Sequence, residues 1–181
     1  KSMPIKNRDL LRKNLGISSE KVILLYQGYF TPHRNLDLLV DAMALVKNEQ
    51  TVLVLMGPES KLKSDLERAA KRAGTANKRV FHHLAASQDD LLDYTASADG
   101  GIIPYPHVDM NSLLCTPNKL FEFLVAGVPI LANDSPELVR FVRDQGAGIV
   151  HAMETPEQIA AGIDLFLGLD LDSYRARIGQ L

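Results

Sequence analysis

Only one cysteine, Cys115, occurs in the sequence, which excludes an internal disulfide and makes a reducing compartment, the cytoplasm, the expected location. No apolar run reaches the roughly 18 residues that a bilayer crossing needs, and the opening KSMPIKNRDLLRKNLG holds no hydrophobic signal core. No membrane span is expected, and peripheral attachment of a longer protein to a membrane stays open. An excess of basic charge is missing too. The 20 Lys and Arg residues face 22 Asp and Glu, a net charge of -2, which argues against nucleic acid as a partner. Two phosphate-binding signatures are absent: there is no GxxxxGK[ST], and no GxGxxG follows the first apolar run. Internal repeats, low-complexity tracts and linkers are also lacking.

What is present is a regular alternation along 181 residues, a length that suits one domain with a proper core. KVILLYQG (21–28), TVLVLMG (51–57), RVFHHL (79–84), GGIIPY (100–105), VPILAN (128–133) and GAGIVH (146–151) read as strands. Between them, NLDLLVDAMALVKN, SKLKSDLERAAKRAG, SQDDLLDYTASAD, PNKLFEFLVAG and SPELVRFVRDQG carry helical spacing, most with a Ser or Pro at the start or a Gly at the end. Strands that are apolar at nearly every position imply a parallel sheet covered on both faces. The expected fold is therefore α/β, a doubly wound, Rossmann-like parallel sheet over residues 21–166. Residues 1–20 form a polar lead-in and helix, read as a chain entered midway, and residues 167–181 form a last amphipathic helix. Ligands of such sheets bind beyond the carboxyl ends of the strands, which directs attention to the loops at Gly28, Gly57, Leu84, Tyr105 and Asn133.

The stretch TPNKLFEFLVAGVPILAND (116–134) sets a threonine, a proline, a lysine and a glutamate at the mouth of an otherwise apolar helix. Thr116 suits the N-cap and Pro117 the first helical position. Asn118 and Lys119 then bring N–H groups without intrahelical partners to the positive end of the helix dipole, an anion site to which the Lys119 ammonium adds charge. Glu122, one turn further on the same face, could accept hydroxyl hydrogen bonds from a ribose. The plainer alternative is a capped helix with Glu122 paired to Lys119 on a solvated face. Against it stand the phenylalanines flanking Glu122, because a buried charge needs a partner.

Other candidates are less specific. In YQGYFTPHRNLDLL, Gly28 would let the backbone approach a ligand and Arg34 could reach a diphosphate, although a turn glycine beside a surface arginine accounts for both. His82 and His83, adjacent on a strand, point to opposite faces, so one ion could hardly take both and no metal site is expected. Nothing fixes Cys115 and His107 as a nucleophile and base, and SDLERAAKR reads as a solvated mixed-charge face. No catalytic residue is assigned.

Taken in order, YQG...RNL, then LVLMG, then PNKLFEFLVAGVPILANDSPELVRFV resembles the carboxy-terminal, donor-binding half of GT-B glycosyltransferases, in particular the large retaining group called family 4. The resemblance implies that Gly28 lies under a diphosphate and that Arg34 is directed at it. It further implies that Gly57 borders the nucleotide pocket, that His83, Leu84 and Ala85 hold the base edge, that Asn118 and Lys119 face the phosphates, and that Glu122 binds the ribose. The ligand would be a nucleotide sugar, UDP- or GDP-linked, handled without a metal or other cofactor in polysaccharide or glycoconjugate synthesis. Two departures stand out. Leu114 occupies the position of a second glutamate common in the family, leaving Asp109, Asn111 and Ser112 as candidates for donor-sugar contacts, and Tyr29 stands where arginine is frequent. The amino-terminal acceptor-binding domain of such enzymes is expected to be missing, so the chain should bind donor but transfer sugar poorly or not at all. Half of a GT-B-type sugar-nucleotide epimerase, or a non-catalytic Rossmann-like interaction module, are the alternatives.

Overall fold

Six short runs dense in Val, Ile and Leu form the strands β1 (Val22–Gln27), β2 (Thr51–Met56), β3 (Val80–His83), β4 (Gly100–Ile103), β5 (Ile130–Ala132) and β6 (Gly148–Val150). This is a computed structural model that describes residues 5–107, 110–114 and 116–181, without the side chains of residues 111 and 112. All strand pairs are parallel, in the order β3-β2-β1-β4-β5-β6. Every residue of β2 is buried, as a strand covered on both faces requires.

The covering helices are α1 (Leu10–Leu15), α2 (Leu36–Ala42), α3 (Lys61–Arg72), α4 (Leu91–Ala96), α5 (Met110–Leu113), α6 (Asn118–Ala126), α7 (Pro136–Leu138), α8 (Pro156–Leu167) and α9 (Leu171–Ile178). Three features differ from the sequence reading. Helix α8 was not anticipated, although Thr155 caps it by accepting a hydrogen bond from the Gln158 N–H at 3.2 Å and Pro156 opens it. Its apolar side, Ile159, Ile163 and Phe166, is fully buried. The short α5 interrupts what read as a continuous loop. SPELVRFVRDQG is not one regular helix: α7 passes into a π turn over Val139–Arg143, with Asp144 N–H donating to the Val139 carbonyl five residues back.

Two glycines at the start of β4 set how closely the helices approach. A Cβ on Gly101 would lie 2.6 Å from the Phe123 ring of α6, and one on Gly100 would lie 2.5 Å from the Phe166 ring of α8. Successive residues of a strand face opposite sides, so the pair lets a helix close on each face. The strand order reverses between β1 and β4, and the crevice that a doubly wound sheet opens at such a switch point lies beyond their carboxyl ends.

Candidate functional site

A cavity of about 580 Å³ occupies that crevice, lined by Gln27 and Gly28 from the end of β1, Arg34 from the following loop, Tyr105 beyond β4, and Asn118, Lys119 and Glu122 from α6. A smaller hollow of about 110 Å³ adjoins it, lined by Met56, Gly57, Ala85 and Leu91 and sharing Gln27, Gly28 and Glu122. A wider hollow of about 750 Å³ lies at the amino ends of the central strands, around Arg12, Asp99 and Arg175. There Asp99 accepts from Arg12 at 2.7 Å, from Arg175 at 3.4 Å and from the Ile23 N–H at 2.8 Å, so these charges tie α1 and α9 to the sheet.

Gly28 has φ 114, a backbone conformation that side chains disfavour, and the position of its missing Cβ is 3.5 Å from Lys119 Nζ. The chain therefore runs directly over the ammonium. At Gly57 a Cβ would fall 2.3 Å from the Gly28 carbonyl oxygen, so both glycines serve the close passage of two strand ends.

The mouth of α6 is shifted by one residue from its expected place. Pro117, extended at φ -70 and ψ 145, occupies the cap position, Asn118 is the first helical residue, and no side chain caps the helix. Thr116 is therefore not the N-cap. The proline ring fixes φ at a value that suits either position, and only ψ decides between them. The Leu120 N–H donates to the Pro117 carbonyl at 2.9 Å, while Asn118 and Lys119 stand at the open end of the helix.

Lys119 is not a surface charge. It is 7% exposed, donates to the Tyr105 hydroxyl, and holds its ammonium 4.6 Å from the centre of the Tyr26 ring and 4.7 Å from that of Tyr105. The guanidinium of Arg34 lies over the Tyr105 ring at 3.9 Å. Tyr105 is itself anchored, because the buried Asn133 donates to its carbonyl at 2.7 Å. Burial above all, and then the neighbouring Tyr105, push the Tyr26 phenol well above its ordinary range, with Arg34 opposing, so it stays protonated and donates to the Tyr29 carbonyl at 3.0 Å.

Glu122 is half-buried and its carboxylate accepts from Gln27 Nε2. The suggested pairing of Glu122 with Lys119 on a solvated face gives way to separate contacts, a part-buried one from Gln27 to Glu122 and a buried one from Lys119 to Tyr105. Of the remaining candidates, Gly57 and Ala85 line the smaller hollow, whereas His83 and Leu84 line neither cavity. The His83 ring instead lies 4.7 Å from that of Tyr94, with Nδ1 2.6 Å from the Leu84 carbonyl oxygen, and Leu84 is exposed. Asp109 and Cys115 fall outside the described residues. Asn111 and Ser112 lie in α5, their side chains undescribed, and Leu114 just beyond it is exposed. His82 faces a separate hollow by Glu67, Lys71 and Asn77, and among the described residues no group of three or more His, Cys, Asp or Glu is placed to hold a metal.

Sequence reasoning missed Tyr26, Gln27 and Tyr105. The available signal was polarity out of place: a glutamine closing an otherwise apolar buried strand. Together these residues make a cleft with two cations on an aromatic floor, an open helix mouth and one oriented carboxylate. That combination can hold an anion at one end and a hydroxyl-bearing group at the other.

Comparison with known proteins gives a consistent picture. The profile of the family described as "Glycosyl transferases group 1" matches residues 7–180. A curated relative, the chitobiosyldiphosphodolichol beta-mannosyltransferase of Candida albicans, is 24% identical over 143 residues, which cover 77% of this chain and 30% of that protein. Among solved structures, Anabaena HepE in complex with UDP superposes with a TM-score of 0.73 at 18% identity, covering 96% of this chain and 46% of that one. The C-terminal domain of the glycosyl transferase group 1 family protein LpcC from Francisella tularensis superposes with a TM-score of 0.67 at 17% identity, covering 98% and 89%. The chain thus spans under half the length of the Candida and Anabaena proteins and nearly all of the isolated LpcC domain.

Proposed function

The chain belongs to the glycosyl transferases group 1 family, with the fold of the C-terminal domain of a GT-B enzyme, and on that premise we propose that its crevice holds the nucleoside diphosphate of a UDP- or GDP-linked sugar. The observation that carries this reading is the convergence of Arg34, Lys119 and Glu122 on one cavity at the switch point of the sheet. The diphosphate lies over Gly28 at the mouth of α6, where the helix dipole, Lys119 and Arg34 offset its charge. The ribose meets Glu122. The base enters the smaller hollow beside Gly57 and Ala85. That Anabaena HepE has been solved with UDP supports the choice of ligand class.

Transfer breaks the bond between the sugar and the diphosphate, and negative charge grows on the leaving group as it departs. Groups fixed in advance around that charge lower the barrier, and here they are a helix end and two cations, so no metal is invoked. Asp109, Asn111 and Ser112 are the proposed contacts to the donor sugar. Retention of anomeric configuration, cytoplasmic location and a product of the polysaccharide or glycoconjugate class complete the proposal. Acceptor binding falls to a second domain, without which this chain binds donor but does not transfer. Calorimetry with UDP, GDP and ADP in the presence of EDTA tests the reading: one of them should bind, and failure of all three at millimolar concentration, or binding only with Mg²⁺, would overturn it.

A further inference from the structure

Gln27 is the last residue of β1, 1% exposed, and borders both cavities. Its two amide atoms face different partners. Nε2 donates to Glu122 Oε2, while Oε1 lies 2.9 Å from the hydroxyl of the fully buried Thr95 on α4. An ionised carboxylate only accepts, so it requires the NH₂ end of the amide and turns the carbonyl toward the Thr95 hydroxyl, whose single proton has two acceptors in reach, Gln27 Oε1 and, at 2.7 Å, the Leu91 carbonyl. The sense of the amide is thus set by Glu122, with Thr95 backing its carbonyl end. Lysine or arginine in this place would bring a full charge against Glu122. A neutral amide holds one carboxylate oxygen and leaves the anionic charge available to hydroxyl groups.

From this chain of contacts we infer that Gln27 is a positioning residue: it locks the Glu122 carboxylate so that the oxygen not held by Gln27 meets the ribose hydroxyls of the nucleotide. The inference rests on the proposed function, since it presupposes that a ribose is bound there. Gln27 acts through Glu122 and selects for a ligand with hydroxyls at that point, whereas the diphosphate is held independently by α6, Lys119 and Arg34.

The test is calorimetry on this chain with whichever of UDP and GDP binds better, and with the same nucleotide lacking both ribose hydroxyls. Gln27→Leu, which keeps the bulk and removes the donor, should weaken the ribonucleotide on the order of tenfold and leave the dideoxy nucleotide unchanged. Thr95→Val, which removes the group behind the amide, should act in the same direction by a smaller factor and serves if Gln27→Leu does not fold. Gln27→Glu adds a pH readout that a purely structural role would not give. Two carboxylates in hydrogen-bond contact share a proton with a raised pKa, so the variant should approach wild-type affinity at pH 5 and lose it at pH 8, each compared with wild type at the same pH. Among the described residues the charged or titratable groups lining the two cavities around that pair are Lys119, Arg34 and the phenols of Tyr29 and Tyr105; Met56, Ala85, Ala86 and Leu91 complete much of the lining without charge. Equal affinity of Gln27→Leu and wild type for the ribonucleotide, or an equal loss for both nucleotides, overturns the inference. Glu122→Gln separates the two levels. If it weakens ribonucleotide binding while Gln27→Leu does not, the inference fails and the proposed function stands; if wild type binds neither nucleotide, the proposed function fails and takes the inference with it.

Discussion

The Arg34 guanidinium lies 3.9 Å from the centre of the Tyr105 ring, and the same tyrosine receives the Lys119 ammonium on its hydroxyl. Two cations, one from the loop after β1 and one from α6, therefore share one aromatic support. Left to themselves, like charges at a cleft would move apart into solvent. The ring face attracts both, and its hydroxyl fixes one of them.

Tyr105 should accordingly be the residue whose loss disturbs both cations together. Tyr105→Phe keeps the face under Arg34 and removes one acceptor of Lys119, so a loss of a few-fold in nucleoside diphosphate affinity is expected. Tyr105→Leu removes both supports, with an expected loss of about tenfold or more. Titration calorimetry measures each, and identical affinities for the two variants and wild type would show that the ring supports neither cation functionally.

Lys119→Ala should weaken a nucleoside diphosphate by about 1.5 to 3 kcal/mol, the range of a charged hydrogen bond, and barely affect the matching nucleoside. Burial alters the expected salt response. A surface ammonium would be screened, but one that is 7% exposed is shielded from counterions. The Lys119→Ala deficit should therefore persist between low and high salt, while that of the more exposed Arg34→Ala shrinks. Affinities at two ionic strengths decide it, and an equal loss for nucleoside and diphosphate would remove Lys119 from the phosphate site.

His82 gives a prediction for stability. Both ring nitrogens are buried without a hydrogen-bond partner. Burial, reinforced by Lys63 and opposed by Glu67 and Glu59, lowers its pKa from the ordinary 6.5. Between the lowered value and 6.5 the unfolded chain binds more protons than the folded one, so the His82 contribution is fully present above 6.5 and is lost as the pH falls through the folded value. His82→Leu should remove this acid sensitivity, and the unsatisfied ring means that it should cost little at pH 7.5. Urea denaturation at pH 7.5 and pH 5 tests the sign: the variant should be less sensitive to acid than wild type, and a steeper loss in the variant would reverse the argument.

The sequence by itself determined the order of strands and most helices, because burial on both faces leaves a continuous apolar run and helix faces leave a 3.6-residue period. Those signals are local, so they survive in one dimension. They also marked the loops at Gly28, Gly57, Leu84, Tyr105 and Asn133 as places to look, where residue chemistry and the resemblance to GT-B glycosyltransferases picked out Gly28, Arg34, Lys119 and Glu122 among others. Helix α8 escaped notice even though Thr155 and Pro156 announce its start. The one-residue displacement of the α6 cap escaped because the ring of Pro117 sets φ and leaves ψ free.

Only the tertiary structure decided what those residues do to one another. Gln27 and Glu122 are 95 positions apart, Gln27 and Thr95 are 68 apart, and Tyr105 and Lys119 are 14 apart. A lysine at a helix mouth looks the same in sequence whether it extends into solvent or folds back beneath a glycine onto two tyrosine rings. The choice rests on close packing of α6 against β4, made possible by the missing side chain at Gly101, and on the passage of the chain over Lys119 at Gly28. Contacts between distant segments carry no periodicity along the chain, and for that reason the charges of the crevice were legible one by one while their arrangement was not.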